Sequence, residues 1–466
     1  MLKFYNTLSG QLEEFKPIHK SEARIYFCGP TVYDYAHVGN FRSMIFADVL
    51  SRYLRYKEFK VTHVMNITDV EDRIIARSME KRVSIDEYTA HYIEALWEDF
   101  DALGCERPDI VPRATRHIEE MVQLIRRLEE RGFAYRSDDS IYYRINSFKD
   151  YGKLSKINFA GNIAGASERL DVDRYEKEDA RDFALWKSSK SESEPGWSTE
   201  IGRGRPGWHI ECSAMSMKYL GETFDIHAGG IDLIFPHHEN EIAQSEGATG
   251  KPFVNYWLHA EHLKVEGETM SKSKGNFYTF RDLVALGYKP RAIRYLLLSV
   301  PYRKPINFTF EALKAAEVTV ARLQDFYLRL SQANTEPGSN PKAAQVIEKA
   351  VVSFEKGMDD DLNTSVALAA AHEMTTEINT RLAGCDFRQD DRRRALEVLD
   401  RFDLVLNVFK QDLRVDIDAE IQARIEDRQR ARRQRDFALA DTIRDELAAR
   451  GILLEDTRSG VRWKYK

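Results

Sequence analysis

The chain has 466 residues, of which 43% are hydrophobic, 11% aromatic and 31% charged, and its net charge is -6. That length exceeds one hydrophobic core and implies about three domains. The composition excludes a disordered chain, and the charge excludes a protein that simply coats nucleic acid, though not a local basic patch.

No apolar run reaches the roughly 18–20 residues that cross a bilayer, and the opening MLKFYNTLSG has neither a signal-peptide nor a transit pattern. Four cysteines, Cys28, Cys105, Cys212 and Cys385, do not make a disulfide framework in so long a chain. A cytoplasmic protein without membrane contact is expected, with metal or catalytic use for some of the thiols.

Arg24 to Cys28 (RIYFC) reads as a buried strand entering the turn Gly29-Pro30. From Phe41 apolar residues recur at helical spacing through Tyr53 and Leu54, and a second strand is expected over Val61 to Ile67. Together they make a βαβ unit. Thr68-Asp69 falls just past the second strand, where ligands gather in open α/β sheets. Ser84-x-x-Glu87 is a capping box that opens a helix carrying His91 and Trp97, and a further helix runs to Gly132. From Phe133 to Arg205, strand-like pieces such as SIYYRI alternate with polar Ser- and Gly-containing stretches, the pattern of an insertion that interrupts the sheet. After Arg291 the pattern turns helical. A linker-like stretch at 331–342 separates helices, and Asn363 can cap NTSVALAAAHEMTTEI. The last segment carries closely spaced arginines and ends in a strand-rich tail.

The densest chemistry lies between Gly204 and Glu241, GRPGWHIECSAMSMKYLGETFDIHAGGIDLIFPHHENE. Cys212, His237 and Glu241 are candidate zinc ligands. His237 and Glu241 stand at i and i+4, on one face of a helix, whereas His238 would need residue 242, which is Ile. Three ligands do not close a tetrahedral site, so a fourth must come from elsewhere. Two further pieces concern anions. His37-Val38-Gly39-Asn40 sits where a strand turns into a helix, so backbone N–H groups, an imidazole and an amide can face a phosphate. Met270-Ser271-Lys272-Ser273-Lys274-Gly275-Asn276 has the composition of a mobile loop that closes on polyphosphate, with lysine as a point charge.

PTVYDYAHVGN and MSKSKGN, about 230 residues apart, resemble the paired signatures of class I aminoacyl-tRNA synthetases. Within that class the chain resembles the cysteinyl-tRNA synthetases nearly end to end. The resemblance is carried by Phe27-Cys28-Gly29-Pro30-Thr31-Val32-Tyr33, Asn66-Ile67-Thr68-Asp69, Gly207 to Met215, His237 to Glu241, Asp436-Phe437-Ala438 and Leu454 to Thr457. Two positions depart from the class pattern: Asn40 stands where a second histidine is common, and Thr269 where a lysine is.

The resemblance implies a zinc-dependent ligase that activates L-cysteine with ATP and transfers it to tRNA(Cys). Its fourth zinc ligand is Cys28, beside Cys212, His237 and Glu241, with one Zn2+ per chain and Mg2+ accompanying ATP. A site with four protein ligands is commonly structural, but in this family the metal takes the substrate thiolate. That solves the rejection of serine, a near-isostere that pocket shape separates poorly. His37, Asn40 and Lys272 are the implied catalytic residues. Gly29, His227, Gly229, Gly230 and Asp232 join them in binding ATP, and Thr31, Thr68, His91 and Trp208 line the cysteine pocket. Arg424, Arg428, Arg432 and Arg435, at four- and three-residue steps, are read as a stripe tracking tRNA phosphates, with Trp463 and Tyr465 as stacking groups.

The implied architecture is α/β: a Rossmann-like class I synthetase catalytic domain with an inserted subdomain, followed by a helical bundle and a small C-terminal α+β domain. The expected segments are the first catalytic half (1–132), a connective insertion (133–205) and the second catalytic half (206–260). A stem-contact region (261–310), a helical bundle (311–410) and an anticodon-binding domain (411–466) follow. A monomer is expected. The alternatives are a ligase that joins cysteine to an amino sugar on the same core, as in mycothiol biosynthesis, and a non-catalytic RNA-binding paralogue with structural zinc. The arginine-rich C-terminal segment speaks against the first, and intact His37, Lys272 and four ligands against the second.

Overall fold

The computed structural model describes every residue except 158–180, 190, 192–193, 272–273, 411–414, 458–459 and 466. The chain forms two compact units. One holds Met1–Pro290, Leu296–Phe310 and Met358–Thr364, and the other holds Arg291–Tyr295, Glu311–Gly357 and Ser365–Lys466.

In the first unit a hairpin of β1 (Lys3–Asn6) and β2 (Gln11–Glu14) precedes β3 (Glu22–Phe27), α1 (Val38–Tyr56) and β4 (Lys60–Met65). Helices α2 (Asp72–Lys81), α3 (Ile85–Ala102) and α4 (Ile118–Glu130) follow. Strands β5 (Ala134–Ser137), β6 (Ser140–Tyr143), β7 (Phe183–Ser188), β8 (Trp197–Thr199) and β9 (Gly202–Pro206) then form an antiparallel sheet in the order β5-β6-β7-β9-β8. The chain returns through α5 (Trp208–Leu220), β10 (Phe224–Gly230), α6 (Glu239–Thr249) and β11 (Val254–Ala260). The result is a parallel sheet in the order β11-β10-β3-β4. β12 (Leu263–Val265), β13 (Glu268–Thr269), α7 (Phe280–Ala285) and β14 (Ile306–Phe308) come next, and α8 (Pro290–Leu298) has residues in both units.

The apolar runs in β3 and β10 suit a parallel sheet covered on both faces, and Tyr26, Phe27, Phe224 and Trp257 are among the largest fully buried side chains. Burying each such ring stabilises the unit by roughly 1.5–3 kcal/mol. Helix α1 is buried over most of its length, so its polar residues need partners inside the protein. Arg52 pairs with Asp48 at 2.8 Å, and Arg42 donates to the carbonyls of Leu297, Val300 and Pro301. The expected Ser84 capping box is present at the start of α3, and Gly132 has φ +79 just past α4.

The second unit is mainly helical: α9 (Phe310–Gln332), α10 (Pro341–Asp359), α11 (Thr364–Ala383) and α12 (Gln389–Leu406), then α13 (Val415–Arg433), α14 (Phe437–Ala449) and a hairpin of β15 (Ile452–Thr457) and β16 (Gly460–Tyr465). Phe354 and Phe402 stack with centroids 4.0 Å apart, and Ile421, Ile425, Ile443, Leu447 and Ile452 form a separate small core. Among the described residues no helix is long and apolar enough to cross a membrane.

Candidate metal centre and active site

The C-terminal ends of β3 and β10 lie side by side at the centre of the parallel sheet. Cys28 follows β3 directly, and its N–H donates to Ala228 O at 3.1 Å. Cys212 comes from α5, Glu241 from α6 and His237 from the turn before α6. The Cys28 and Cys212 sulfurs are 3.6 Å apart, Cys28 Sγ is 3.5 Å from Glu241 Oε1, and His237 Nε2 is 3.1 Å from the same oxygen. Tetrahedral coordination with bonds of about 2.0–2.3 Å separates donor atoms by roughly 3.3–3.8 Å; the two sulfur distances fall in that range and the His237–Glu241 distance just below it, so a shared ion needs only a small spreading of that pair. All four side chains are buried. A second set, Cys28, His227, His238 and Glu241, also lies within 4.8 Å. It shares two members with the first, and its His227 Nε2 is already 2.9 Å from Glu241 Oε2. Two thiols make the first set the better match for zinc.

Burial opposes charge throughout this cluster. It works to raise Cys212, yet hydrogen bonding to Cys28 and the neighbouring His237 bring that thiol down to about 6. Burial works to lower His237, but Cys212 and Glu241 hold it up at about 10. Glu241, penalised by burial, is brought down to about 2 by His227 and His237. Burial, and then Cys212 and Glu241 beside it, push the Cys28 thiol up.

A second layer fixes these ligands. His237 Nδ1 is 3.0 Å from His209 Nδ1, which leaves Nε2 to face Glu241. Gln244 Nε2 donates to His209 O and Ser213 Oγ. His238 Nδ1 is 2.8 Å from His259 Nε2, and His259 Nδ1 is 2.8 Å from Thr7 Oγ1. Asn66 Oδ1 accepts from Gly29 N at 2.9 Å and lies 3.8 Å from Cys212 Sγ, while Asn66 Nδ2 donates to Thr68 Oγ1 at 3.2 Å. Glu211, buried on α5, has its carboxyl pushed up by burial and by nearby Cys212 and Asp69. Gly29 has no room for a side chain, since a Cβ would lie 1.7 Å from Asn66 O.

The turn before α1 is a reciprocal cap. His37 Nδ1 accepts from Asn40 N at 3.2 Å, and Asn40 Oδ1 accepts from His37 N at 3.0 Å. With those acceptors used, the neutral His37 ring offers Nε2–H and Asn40 offers its amide hydrogens. The segment after the lysine-rich loop packs here: Val38 N donates to Tyr278 O at 3.1 Å, and the His37 and Phe277 rings meet edge-on at 5.2 Å. Asn276 closes that loop by accepting from Ser271 N at 2.8 Å and donating to Thr269 O at 3.3 Å. Lys272 lies outside the described residues.

The other expected positions divide. Thr31 and Thr68 face each other across a parallel bridge, and the half-buried Trp208 lies over His237 with centroids 4.3 Å apart. His91 is exposed on α3, and its Nε2 lies 2.6 Å from Tyr35 Oη. Gly229, Gly230 and the exposed Asp232 form the turn ending β10, and a Cβ at Gly230 would lie 2.4 Å from Asp232 Oδ1. His227 does not face that turn. Its ring is fully buried against Trp257 and bonded to Glu241, so it orients a candidate metal ligand. The arginine stripe is also different from expectation. Arg428 falls on the same face as Ile421 and Ile425 and is buried, Arg424 pairs with Glu446, and Arg435 lies beyond the end of α13 with φ 64. Arg432 and Arg435 are exposed. The side chains of Trp463 and Tyr465 lie outside the described residues.

The parallel sheet with its antiparallel insertion, matched over most of its length by a class I synthetase catalytic domain family, makes this a class I aminoacyl-tRNA synthetase. The solved methionyl-tRNA synthetase of Mycobacterium tuberculosis in complex with methionyl-adenylate shares this fold, with a TM-score of 0.64, 17% identity and coverage of 83% of this chain and 91% of that one. The family tRNA synthetases class I (C) catalytic domain matches residues 14–318, the DALR domain residues 353–410, and the cysteinyl-tRNA ligase anticodon binding domain residues 414–463. The cysteine--tRNA ligase of Solibacter usitatus is 55% identical over 100% of both chains, and that of Koribacter versatilis 46% identical, again over 100% of both. The chain belongs to the cysteine--tRNA ligase family.

Proposed function

We propose that Cys28, Cys212, His237 and Glu241 hold one zinc ion in the pocket that receives L-cysteine, and that the enzyme joins this amino acid to ATP before transferring it to tRNA(Cys). The observation that carries the reading is the buried two-thiol, imidazole and carboxylate cluster at the C-terminal ends of β3 and β10, with donor atoms within 4.8 Å. When bound, zinc supplies a Lewis-acid centre that favours thiolate over alcohol and so distinguishes cysteine from serine.

The cysteine carboxylate attacks the α-phosphorus of ATP in line, giving cysteinyl-adenylate and pyrophosphate; a ribose hydroxyl at the tRNA 3′ end then attacks the carbonyl carbon of the adenylate, loses its proton and releases AMP as the acyl–phosphate bond breaks. Thr31, Thr68 and Trp208 position the amino acid. Gly29, Gly229, Gly230 and Asp232 hold the adenosine, because the glycines admit close backbone approach and Asp232 accepts from ribose. His37 and Asn40 donate to the phosphate as its charge develops, and Lys272 offsets charge on the leaving pyrophosphate. Positioning outweighs proton transfer in this scheme. Mg2+ accompanies ATP, Arg432 and Arg435 contribute to the tRNA surface, and the enzyme works as a cytoplasmic monomer.

The test is cysteine-dependent ATP–pyrophosphate exchange followed by charging of tRNA with labelled cysteine. Exchange and charging together are expected. Exchange without charging would favour a ligase for an amino sugar, and the absence of exchange would sink both activities.

A further inference from the structure

Asp69 closes the run Asn66-Ile67-Thr68-Asp69, is fully buried, and has no task in the scheme above. Its carboxylate takes three hydrogen bonds from one short segment between α3 and α4. Arg113 Nε lies 2.7 Å from Oδ2, Thr115 Oγ1 lies 2.6 Å from the same oxygen, and Thr115 N lies 2.9 Å from Oδ1. Main-chain bonds from Ile67 N to Pro112 O and from Ala114 N to Ile67 O join the same two stretches. On its other side the Thr68 backbone meets the chain that leaves β3. Thr68 N donates to Pro30 O at 3.2 Å, and Thr68 O accepts from Val32 N at 3.1 Å. Those two bonds are the bridge that sets Thr31 opposite Thr68. β3 ends at Phe27 and β4 at Met65, so both threonines stand beyond the regular ladder of the sheet.

We propose that Asp69 is a positioning residue for the amino-acid pocket: anchored by Arg113 and Thr115, it holds the Thr68 backbone and, through it, Thr31, so that both threonines meet cysteine in one fixed geometry. This rests on the reading that Thr31 and Thr68 line the cysteine pocket. The anchor consists of a backbone N–H, a guanidinium N–H and a hydroxyl, all donating, so it needs an acceptor at both carboxylate oxygens. An asparagine keeps the shape. Whichever way its amide is turned, however, it points an N–H at Thr115 N or at the Arg113 guanidinium. Most of the nucleotide contacts are assigned elsewhere, to His37, Asn40 and the turn that ends β10, so the anchor acts on one substrate and not on the other.

The experiment uses the full-length, zinc-loaded enzyme in ATP–pyrophosphate exchange, with cysteine and ATP varied in turn. For Asp69→Asn the KM for cysteine is expected to rise at least tenfold, while the KM for ATP and the zinc content stay within twofold. An equal rise in both KM values, or a rise in neither, would overturn the proposal, since Asp69 would then support the sheet as a whole or leave the pocket untouched. If Asp69→Asn does not fold, Arg113→Met and Arg113→Gln decide. A glutamine Nε2 stands where the arginine Nε does and returns an N–H to Asp69, which methionine cannot. Both variants lose the bond from Arg113 Nη2 to Asp86, so that loss cancels between them. Met must raise the KM for cysteine at least fivefold with the KM for ATP within twofold, and Gln must bring it back to within twofold of wild type; any other pattern overturns the proposal. Wild-type enzyme without cysteine-dependent exchange would refute the pocket's assignment, a result separate from the comparison of variants.

Discussion

His227 Nε2 lies 2.9 Å from Glu241 Oε2, so a strand residue orients a carboxylate whose other oxygen faces His237 and Cys28. Removing such an outer partner usually weakens metal binding 10- to 100-fold. His227→Gln is therefore expected to lower zinc affinity by that order while leaving the KM for ATP within twofold. Competitive chelator titration and exchange kinetics check this. Intact zinc affinity with a raised KM for ATP would return His227 to the nucleotide site.

The two overlapping donor sets make Cys212 decisive. Cys212→Ser removes a ligand from one set and none from the other. The expected outcome is loss of bound zinc after dialysis, together with loss of discrimination against serine in the exchange assay. Full zinc occupancy in this variant would mean that the ion sits among Cys28, His227, His238 and Glu241.

Much of this site was legible because its signals are local. His237 and Glu241 announce themselves by spacing, Ser84 and Glu87 by a capping box, and the βαβ unit by its periodicity. What stayed hidden depends on contacts between distant segments. Asn66 matters because Gly29 approaches it from another strand, and His209 and His259 matter because each meets a histidine brought by a different element. Helical spacing put Arg424, Arg428, Arg432 and Arg435 on one stripe, but it could not say that the small core of Ile421 and Ile425 would claim Arg428. The burial of His227 was hidden for a similar reason: β10 is covered on both faces, so a histidine in its middle need not point to solvent.

Gly29→Ala tests the close approach of the first strand end to the second. The new methyl would lie 1.7 Å from Asn66 O, a backbone atom that cannot step aside as a side chain can. Overpacking of this kind costs about 3 kcal/mol, and here it also displaces the neighbouring Cys28. Lower stability together with weakened zinc binding is expected from denaturation and chelator titration. A variant with wild-type values for both would show that the two strand ends are free to separate.

His63, on β4, is buried against Ser51 with Nδ1 3.1 Å from the serine Oγ, and burial lowers it to about 4 from 6.5. Because the folded state binds this proton more weakly than the unfolded state, stability falls as pH drops from 6.5 to 4 and levels off below. The gap corresponds to at most about 3 kcal/mol. His63→Asn removes this contribution, so the variant's unfolding midpoint is expected to decline less than that of wild type between pH 7 and pH 4.5. Parallel declines would show that His63 is not held neutral.

Asn40 does two jobs that a single substitution can separate. Its Oδ1 accepts from His37 N and completes the cap of α1, while its amide hydrogens are the donors proposed for the α-phosphate. Asn40→Ala removes both, with about 1 kcal/mol lost from the helix cap. Asn40→Asp keeps the oxygen, and an acidic group in the first helical turn is favoured by the helix dipole. It loses the donor and sets a negative charge beside the phosphate. Removing one transition-state donor lowers kcat by roughly 10²–10³-fold. Asn40→Asp is thus expected to unfold at the wild-type midpoint or above and yet to lose exchange activity by at least that factor, whereas Asn40→Ala loses both. If the aspartate variant retained wild-type kcat, Asn40 would be a helix cap alone, and phosphate stabilisation would fall to His37 and the lysine loop.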